Sequence, residues 1–421
     1  MTGPIVSTLT PLVSTLTPSV SSLTPPHVAM LATEYVYNRV GGLGAHIRGL
    51  VPPLSDLLPL DLVLPCFDPM WPRAERVGRF GHVHRVDAER PQPGSDYDHQ
   101  VWAMNDRISD YIVGLIEKGA GFQLVHAHDW LVGFSANLLR EQHGIPLVVT
   151  IHATEYGRVR DQVYTVDLSR RIHLAEMYLM RNADLLITTS EFMRKELMQE
   201  LGASGDRIAV IPNGIDSSGF RNLRQHGSEW ASFRRQYAAP DEPLAFYVGR
   251  LVWEKGPDVL VDAMHLVRQQ GGAPGARAVI AGAGSMKQDL ADKIAALGLQ
   301  EHVHLVGLID DETRGRFYAI SDVAVFPSRY EPFGIVALEA MAAGVPVVVG
   351  AGGLAEVVAN GVTGLVAEPG SGLSLSECIL EVFRDPAATD ERVRRARLVV
   401  EEQYTWEGIA AQTVEAYRRV L

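Results

Sequence analysis

Pro327-Ser328-Arg329-Tyr330-Glu331-Pro332-Phe333-Gly334-Ile335-Val336-Ala337-Leu338-Glu339-Ala340 is the stretch on which the reading of this chain turns. A strand-like run, Val323 to Phe326, precedes it, a helical run follows, and its two carboxylates stand eight positions apart. At about 3.6 residues per turn that separation is just over two turns, so a helix beginning near Gly334 carries Glu339 on the side of the loop that holds Glu331. Both can then face one ligand. The backbone N–H groups of Phe333, Gly334, Ile335 and Val336 are the unpaired donors of the first turn, and they favour an anion such as phosphate. Carboxylate, phosphate cradle and carboxylate, in that order, suit a sugar joined to a nucleotide diphosphate. Glu331 is expected on sugar hydroxyls and Glu339 on ribose hydroxyls.

On either side of this stretch, short apolar runs alternate with amphipathic ones, the pattern of a parallel sheet covered on both faces. Strands are expected at Val28–Ala32, Leu62–Leu64, Leu124–His126, Leu147–Thr150, Leu185–Thr188 and Ala209–Ile211. A second series runs through Leu244–Val248, Ala278–Ala281, His304–Val306, Val323–Phe326, Val345–Val349 and Gly364–Ala367. Between the series, residues 217–241 are polar and lack a strand pattern, so they read as a linker. The expectation is α/β, with Rossmann-like domains over 27–216 and 242–403, a helical segment over 404–421, and ligands at the carboxyl ends of the strands.

Composition agrees with two cores. The chain has 421 residues, longer than one core usually supports, and a hydrophobic fraction of 47%. A formal net charge of −12 argues against nucleic acid as the partner, since phosphate-backbone affinity comes from clustered Lys and Arg. The basic run Arg392 to Arg397 reads as the solvated face of a helix. Cys66 and Cys378 are far apart and without metal-ligand spacing, which fits a reducing, cytoplasmic setting. No apolar run is long enough for a membrane helix. Residues 6–26 repeat a Val-Ser-Thr/Ser-Leu-Thr-Pro unit three times, and a segment so rich in Ser, Thr and Pro is expected to be disordered over 1–26.

Several smaller motifs fall at strand ends. Arg250 and Lys255 follow Gly249 in the loop after the first strand of the second series, where two cations can neutralise a diphosphate leaving group. Gly41-Gly42-Leu43-Gly44 follows the chain's first strand and lets backbone approach a ligand. Gly282 and Gly284 read equally well as donor approach or as turn chemistry. His126 and His128 are two apart on a strand and share a face. A metal site there needs further ligands at matching strand ends, and His152 is the evident extra, so hydrogen bonding at the cleft edge is expected instead, with no metal. His152 ends an apolar strand, and Asp129, Glu155 and Arg158 stand near it in sequence on the acceptor side. Asn213-Gly214-Ile215-Asp216 closes the first domain as a turn and hinge.

Together, Arg39-Val40-Gly41-Gly42-Leu43-Gly44, His126-Ala127-His128-Asp129-Trp130, Thr150-Ile151-His152, Asn213-Gly214-Ile215-Asp216, Gly249-Arg250 with Lys255-Gly256, and Glu331 with Glu339 resemble, in order, the motifs of the retaining family 4 glycosyltransferases. The resemblance covers residue 27 to the C-terminus. It implies the GT-B fold, with a closing helix that crosses back onto the first domain, and transfer of a hexosyl group from a nucleotide sugar to an acceptor hydroxyl with retention and without a metal or other cofactor. It implies that Arg250 and Lys255 hold the donor diphosphate and that His152 lies near the donor sugar. The wording of the His126 and Gly41 motifs is similar to the glycogen-synthase-like branch, hence UDP- or ADP-glucose. Arg39 and Glu339 depart from that branch, where Lys and Tyr are usual, and the acceptor is left open between a small metabolite and a glucan. Two other readings are a pyridoxal-phosphate phosphorylase, with Lys255 or Lys287 as its Schiff-base lysine, and a non-catalytic nucleotide-sugar binder.

Overall fold

The structure, a computed structural model, describes residues 25–38, 41–221, 223, 227–269, 273–350 and 352–421. The expected disorder of the repeat therefore lies outside the described residues, Pro25 and Pro26 apart, and so do Arg39 and Val40.

Among the described residues the chain forms two sheets. The first contains β1 (Val28–Leu31), β2 (Leu60–Cys66), β3 (Ala74–Val77), β4 (Gly81–Asp87), β5 (Leu124–His128), β6 (Leu147–Ile151), β7 (Leu185–Thr188) and β8 (Ile208–Val210), in the order β3-β4-β2-β1-β5-β6-β7-β8. All neighbours are parallel except β3 and β4. The second contains β9 (Leu244–Val248), β10 (Arg277–Ala281), β11 (Val303–Gly307), β12 (Val323–Phe326), β13 (Val347–Val349) and β14 (Leu365–Val366), all parallel, in the order β11-β10-β9-β12-β13-β14. That is the doubly wound order, with its reversal at β9 and β12; the first sheet reverses in the same way at β1 and β5.

The alternation of side chains along a strand places a core on each face of each sheet. Val28 and Met30 enter one core with Leu60 and Leu62, while Ala29 and Leu31 enter the opposite one with Val125 and Ala127. The sequence reading missed the β3–β4 hairpin. His82, His84 and Arg85 interrupt its apolar character, but Gly81–Asp87 alternates buried and accessible positions, the period-two signal of a half-covered edge.

Residues 217–241 are not an irregular linker. The helix Gly227–Arg234 lies within them, and Trp230, Phe233 and Tyr237 pack on the second domain's core, with Phe233 and Tyr237 5.0 and 5.1 Å from the Phe317 ring. Their spacing of three and four residues is the helical signal that the polar composition hid. The basic run is also only half solvated. Arg392 is 8% exposed and donates to Glu381 at 2.8 Å, and Arg397 donates to the Ala343 carbonyl at 3.1 Å, whereas Arg394 and Arg395 pair with Glu391 at the surface.

The last helix, Trp406–Tyr417, returns to the first domain, where Ile409, Ala410 and Tyr417 join its core. Trp406 sets the approach. A Cβ on Gly49 would stand 1.9 Å from its ring and one on Gly214 2.7 Å away, so both positions need glycine for the crossing to pack. The neighbouring Ile215 N–H donates to the Tyr404 carbonyl at 2.7 Å, tying the outgoing and returning chains at the expected hinge. Among the described residues no helix is long and apolar enough to cross a membrane.

Candidate active site

The reversal points position the chemistry, because the loops leaving β9 and β12 diverge to opposite faces of their sheet and leave a crevice between them. The first loop carries Arg250 and Lys255 and the second carries Glu331. Lys255 Nζ lies 2.7 Å from Glu331 Oε2, while Arg250 pairs with Glu254 at 3.0 Å and keeps 51% of its side chain exposed. The Glu254 carbonyl accepts from the N–H groups of Arg329 and Tyr330 at 2.9 and 3.1 Å, so the two loops are pinned backbone to backbone. A lysine, an arginine and a carboxylate thus meet at one mouth.

The helix after this loop is Ile335–Ala343, and its cap Gly334 has φ 94. A Cβ there would fall 2.3 Å from Leu354, so crowding and backbone both require glycine. Phe333 is buried against Tyr404, at 6.0 Å between rings, and anchors the turn rather than touching a ligand with its side chain. The carbonyl of Pro332 accepts from Ser190 Oγ at 2.6 Å. The first-turn N–H groups, including those of Ile335 and Val336, keep the anion-favouring end of the helix between the two glutamates. Glu339 is not bare: Tyr318 Oη donates to it at 3.1 Å and Arg314 Nε lies 3.1 Å away. Burial raises its pKa and Arg314 opposes that rise.

Across the crevice stand the ends of β5 and β6. His152 N–H donates to Asp129 Oδ1 at 2.8 Å, and its Nε2 is 3.1 Å from His128 Nδ1. Burial pushes the His152 pKa down to about 3 and the Asp129 pKa up to about 6. Asp129 holds φ 60, a conformation costly for a residue with a side chain and common where a site fixes its geometry. Glu155 accepts from Ser169 at 2.7 Å and its N–H donates to Glu176, with Arg158 3.8 Å from the Glu155 carboxylate. Asp129 thus holds the His152 backbone, while Glu155 and Arg158 stand beside each other on the helix that follows.

His126 and His128 are not cleft-edge groups. His126 is 1% exposed, with Nδ1 2.7 Å from Tyr417 Oη and Nε2 2.7 Å from Thr150 Oγ1, so it locks the returning helix to the sheet. His128 is 0% exposed and lies behind His152. A strand buried on both faces turns its side chains into a core, which is why the His-x-His wording misleads. Gly282 and Gly284 likewise have a packing reason: a Cβ would come within 1.8 Å of the Gly249 carbonyl or 2.2 Å of that of Leu251. Gly41 and Gly42 differ. A Cβ on either would meet nothing within 4 Å, so the space over them is open, and Glu34 accepts from the Gly41 and Gly44 N–H groups at 3.1 Å. Lys287 is exposed at the start of its helix, and Lys255 is engaged by Glu331.

Tyr330 is the residue that the sequence reading missed. It is 2% exposed, yet it packs in the first domain's core, its Oη 3.0 Å from Glu196 and its ring on Gly157, where a Cβ would stand 2.1 Å away. It plugs the glutamate loop into the opposite domain. A tyrosine beside a motif carboxylate and a glycine five residues after a motif histidine are visible in sequence, but their pairing is not.

The fold and this site define a two-domain sugar-transferring enzyme of GT-B architecture. A model of the glycosyl transferase 4-like domain matches residues 41–214 and one of glycosyl transferases group 1 matches 229–399. The chain is 34% identical to a glycogen synthase of Mycobacterium tuberculosis, over 93% of this chain and 94% of that one. It is 32% identical to an uncharacterized glycosyltransferase of Methanocaldococcus jannaschii, over 93% and 97%. Among solved structures, a sucrose-phosphate synthase from Thermosynechococcus elongatus superposes with TM-score 0.77 at 25% identity, covering 94% of this chain and 98% of that one. The chain belongs to the family 4-like glycosyltransferases.

Proposed function

We propose that the chain transfers a glucosyl-type hexose from a nucleotide diphosphate sugar, of the UDP- or ADP-glucose kind, to a hydroxyl of a small metabolite or glucan, with retention and without a metal. The observation that carries this is the Lys255–Glu331 pair at 2.7 Å, with Arg250 in the same loop and a helix N-terminus next to it. Arg250, Lys255 and the first-turn N–H groups take the diphosphate and the charge that grows on it as the glycosidic bond breaks. Glu331 takes sugar hydroxyls and Glu339 the ribose. His152, kept neutral by burial, offers a hydrogen bond to the sugar, and Gly41 and Gly42 leave room for the phosphates. The acceptor attacks from the face the nucleotide leaves, and the departing phosphate oxygen draws its proton, so positioning supplies much of the acceleration. Glycogen synthase and sucrose-phosphate synthase, whose named products contain glucose, favour the glucosyl donor.

The test screens UDP-, ADP- and GDP-sugars by thermal shift, because a ligand that binds only the folded state raises Tm. The hit is then turned over in EDTA, with the product's anomeric configuration read by NMR. Retention with undiminished rate is expected. An inverted product, or a rate lost on chelation and restored by Mg²⁺ or Mn²⁺, overturns the reading.

A further inference from the structure

His46, on the helix Gly42–Leu57, completes a trio with His128 and His152, of which the transfer reading uses His152 alone. One ring nitrogen of each lies within 4.8 Å of the others, and the rings are 4.6 Å (His46–His152), 5.3 Å (His46–His128) and 5.4 Å (His128–His152) apart between centroids. His46 Nδ1 stands 2.7 Å from Asn213 Oδ1. An amide oxygen can only accept, so Nδ1 carries the proton and Nε2 is a bare lone pair. That Nε2 is buried with no hydrogen-bond partner among the described residues, and so is Nε2 of His128. His128 Nδ1 and His152 Nε2, 3.1 Å apart, share one proton between them at most, since one must accept from the other.

Burial holds all three imidazoles neutral, the form that ligates. In a tetrahedral zinc centre the Zn–N bonds of about 2.0–2.1 Å put ligand nitrogens roughly 3.3–3.4 Å apart. His128 Nδ1 and His152 Nε2 are 3.1 Å apart and a nitrogen of each of the three lies within 4.8 Å of the others, so a small rotation of the rings brings them to that spacing. Asn213 supplies the outer-sphere partner that orients a ligating histidine. His46 and His128 are 4% and 0% exposed, whereas His152 is half-buried, which leaves the fourth position toward the cleft.

We propose that His46, His128 and His152 form a three-histidine site for Zn²⁺ or a similar borderline divalent ion, and that loading it turns His152 away from the donor sugar and halts transfer. The binding half stands on the trio alone; the inhibition half rests on the proposed place of His152 beside the sugar. Metal-stripped full-length protein titrated with Zn²⁺ against a chromophoric chelator should take a single ion, with Mg²⁺ unable to compete. His46→Gln and His128→Gln should abolish this uptake, and Asn213→Ser should weaken it roughly ten-fold or more. Should both histidine variants misfold, Co²⁺ added to the unaltered protein reports the same thing: intense visible bands of tetrahedral nitrogen coordination are expected. Zinc should suppress transfer, EDTA should restore it, and the variants, each measured against its own untreated rate, should resist.

Zinc uptake that survives both histidine variants, or a six-coordinate Co²⁺ spectrum, overturns the site. Zinc that raises the rate overturns the inhibitory role. Uptake through the trio with no loss of transfer upholds the site and overturns the placement of His152 at the sugar.

Discussion

The two walls of the crevice hold their polar groups in opposite ways. On the second domain's side the charges are paired but reachable: Arg250 is half exposed, and Lys255 holds Glu331 through one 2.7 Å contact that a ligand can exchange. On the first domain's side His46, His126 and His128 are at most 4% exposed, and burial holds them neutral. A wall that meets a diphosphate has to keep its cations charged and trade partners cheaply. A wall that meets a neutral sugar gains nothing from charge, so its polar groups can be sunk into the fold and fixed. Under the proposed function the difference gives charge stabilisation to one domain and shape to the other, and it can be broken from either side.

The largest effect is expected at Glu331. Glu331→Gln keeps the shape but removes the charge facing the sugar, and turnover should fall on the order of 10²–10³-fold, as when one preorganised electrostatic contact is lost. Affinity for the bare nucleotide should change little or rise slightly, because Lys255 is released from its carboxylate toward the diphosphate. Initial rates with calorimetry on the free nucleotide separate the two. Nucleotide binding abolished by this variant would mean that the exchangeable wall is mis-assigned.

The opposite wall is probed by acid. A histidine whose folded pKa lies below its unfolded value of about 6.5 supports the fold above that value and loses its contribution as pH falls toward the folded pKa. For His152, at about 3 in the fold, this amounts to about 2 kcal/mol lost by pH 5. His46, His126 and His128 act in the same direction. Asp129, raised to about 6, and Glu176, also raised by burial, act in the opposite sense, their stabilisation growing as pH falls through their folded values. The histidines prevail by number, so Tm should drop between pH 7 and pH 5, and His126→Gln should flatten the slope. A Tm that rises over this interval would mean that the buried carboxylates dominate the wall.

Much of this was legible in the sequence, for a physical reason. Parallel strands are short apolar runs that end at polar, glycine or proline residues, so Leu185–Thr188, Leu244–Val248 and Val323–Phe326 read with their observed bounds. The glutamate spacing gave the helix at Ile335 because helical periodicity is local. Where the reading failed, long-range packing decided. His126 reads as a cleft residue until Tyr417, 291 positions away, is seen bonded to it. Gly282 reads equally as a ligand glycine or a turn glycine until the Gly249 carbonyl is found against it. Trp230, Phe233 and Tyr237 are hidden by polar neighbours that mask their helical period.

A smaller effect separates the two glutamates. Glu339 already accepts from Tyr318 and faces Arg314, so it is a fixed acceptor set into the otherwise exchangeable wall. Glu339→Gln should weaken nucleotide and donor binding by roughly 1–3 kcal/mol, the worth of hydrogen bonds to a charged acceptor, with kcat at saturating donor nearly kept. A steep fall in kcat with unchanged nucleotide affinity would exchange the roles of Glu331 and Glu339.

The smallest effect bears on whether the buried wall is structural at all. Tyr417→Phe deletes one hydroxyl, the partner of His126 Nδ1 at 2.7 Å, and leaves the ring that fills the first domain's core. One buried nitrogen then lacks its partner, a cost of about 1–2 kcal/mol, which in a chain of this size moves Tm by only a few degrees. Donor affinity and kcat should stay at their original values, because His126 is 1% exposed and both its ring nitrogens are taken up in tying the crossing helix to β5 and β6. If instead Tm held and the acceptor KM rose, His126 would have to reach the acceptor through a rearranged first domain, and the contrast between a charged, exchangeable wall and a neutral, fixed one would fail on its fixed side.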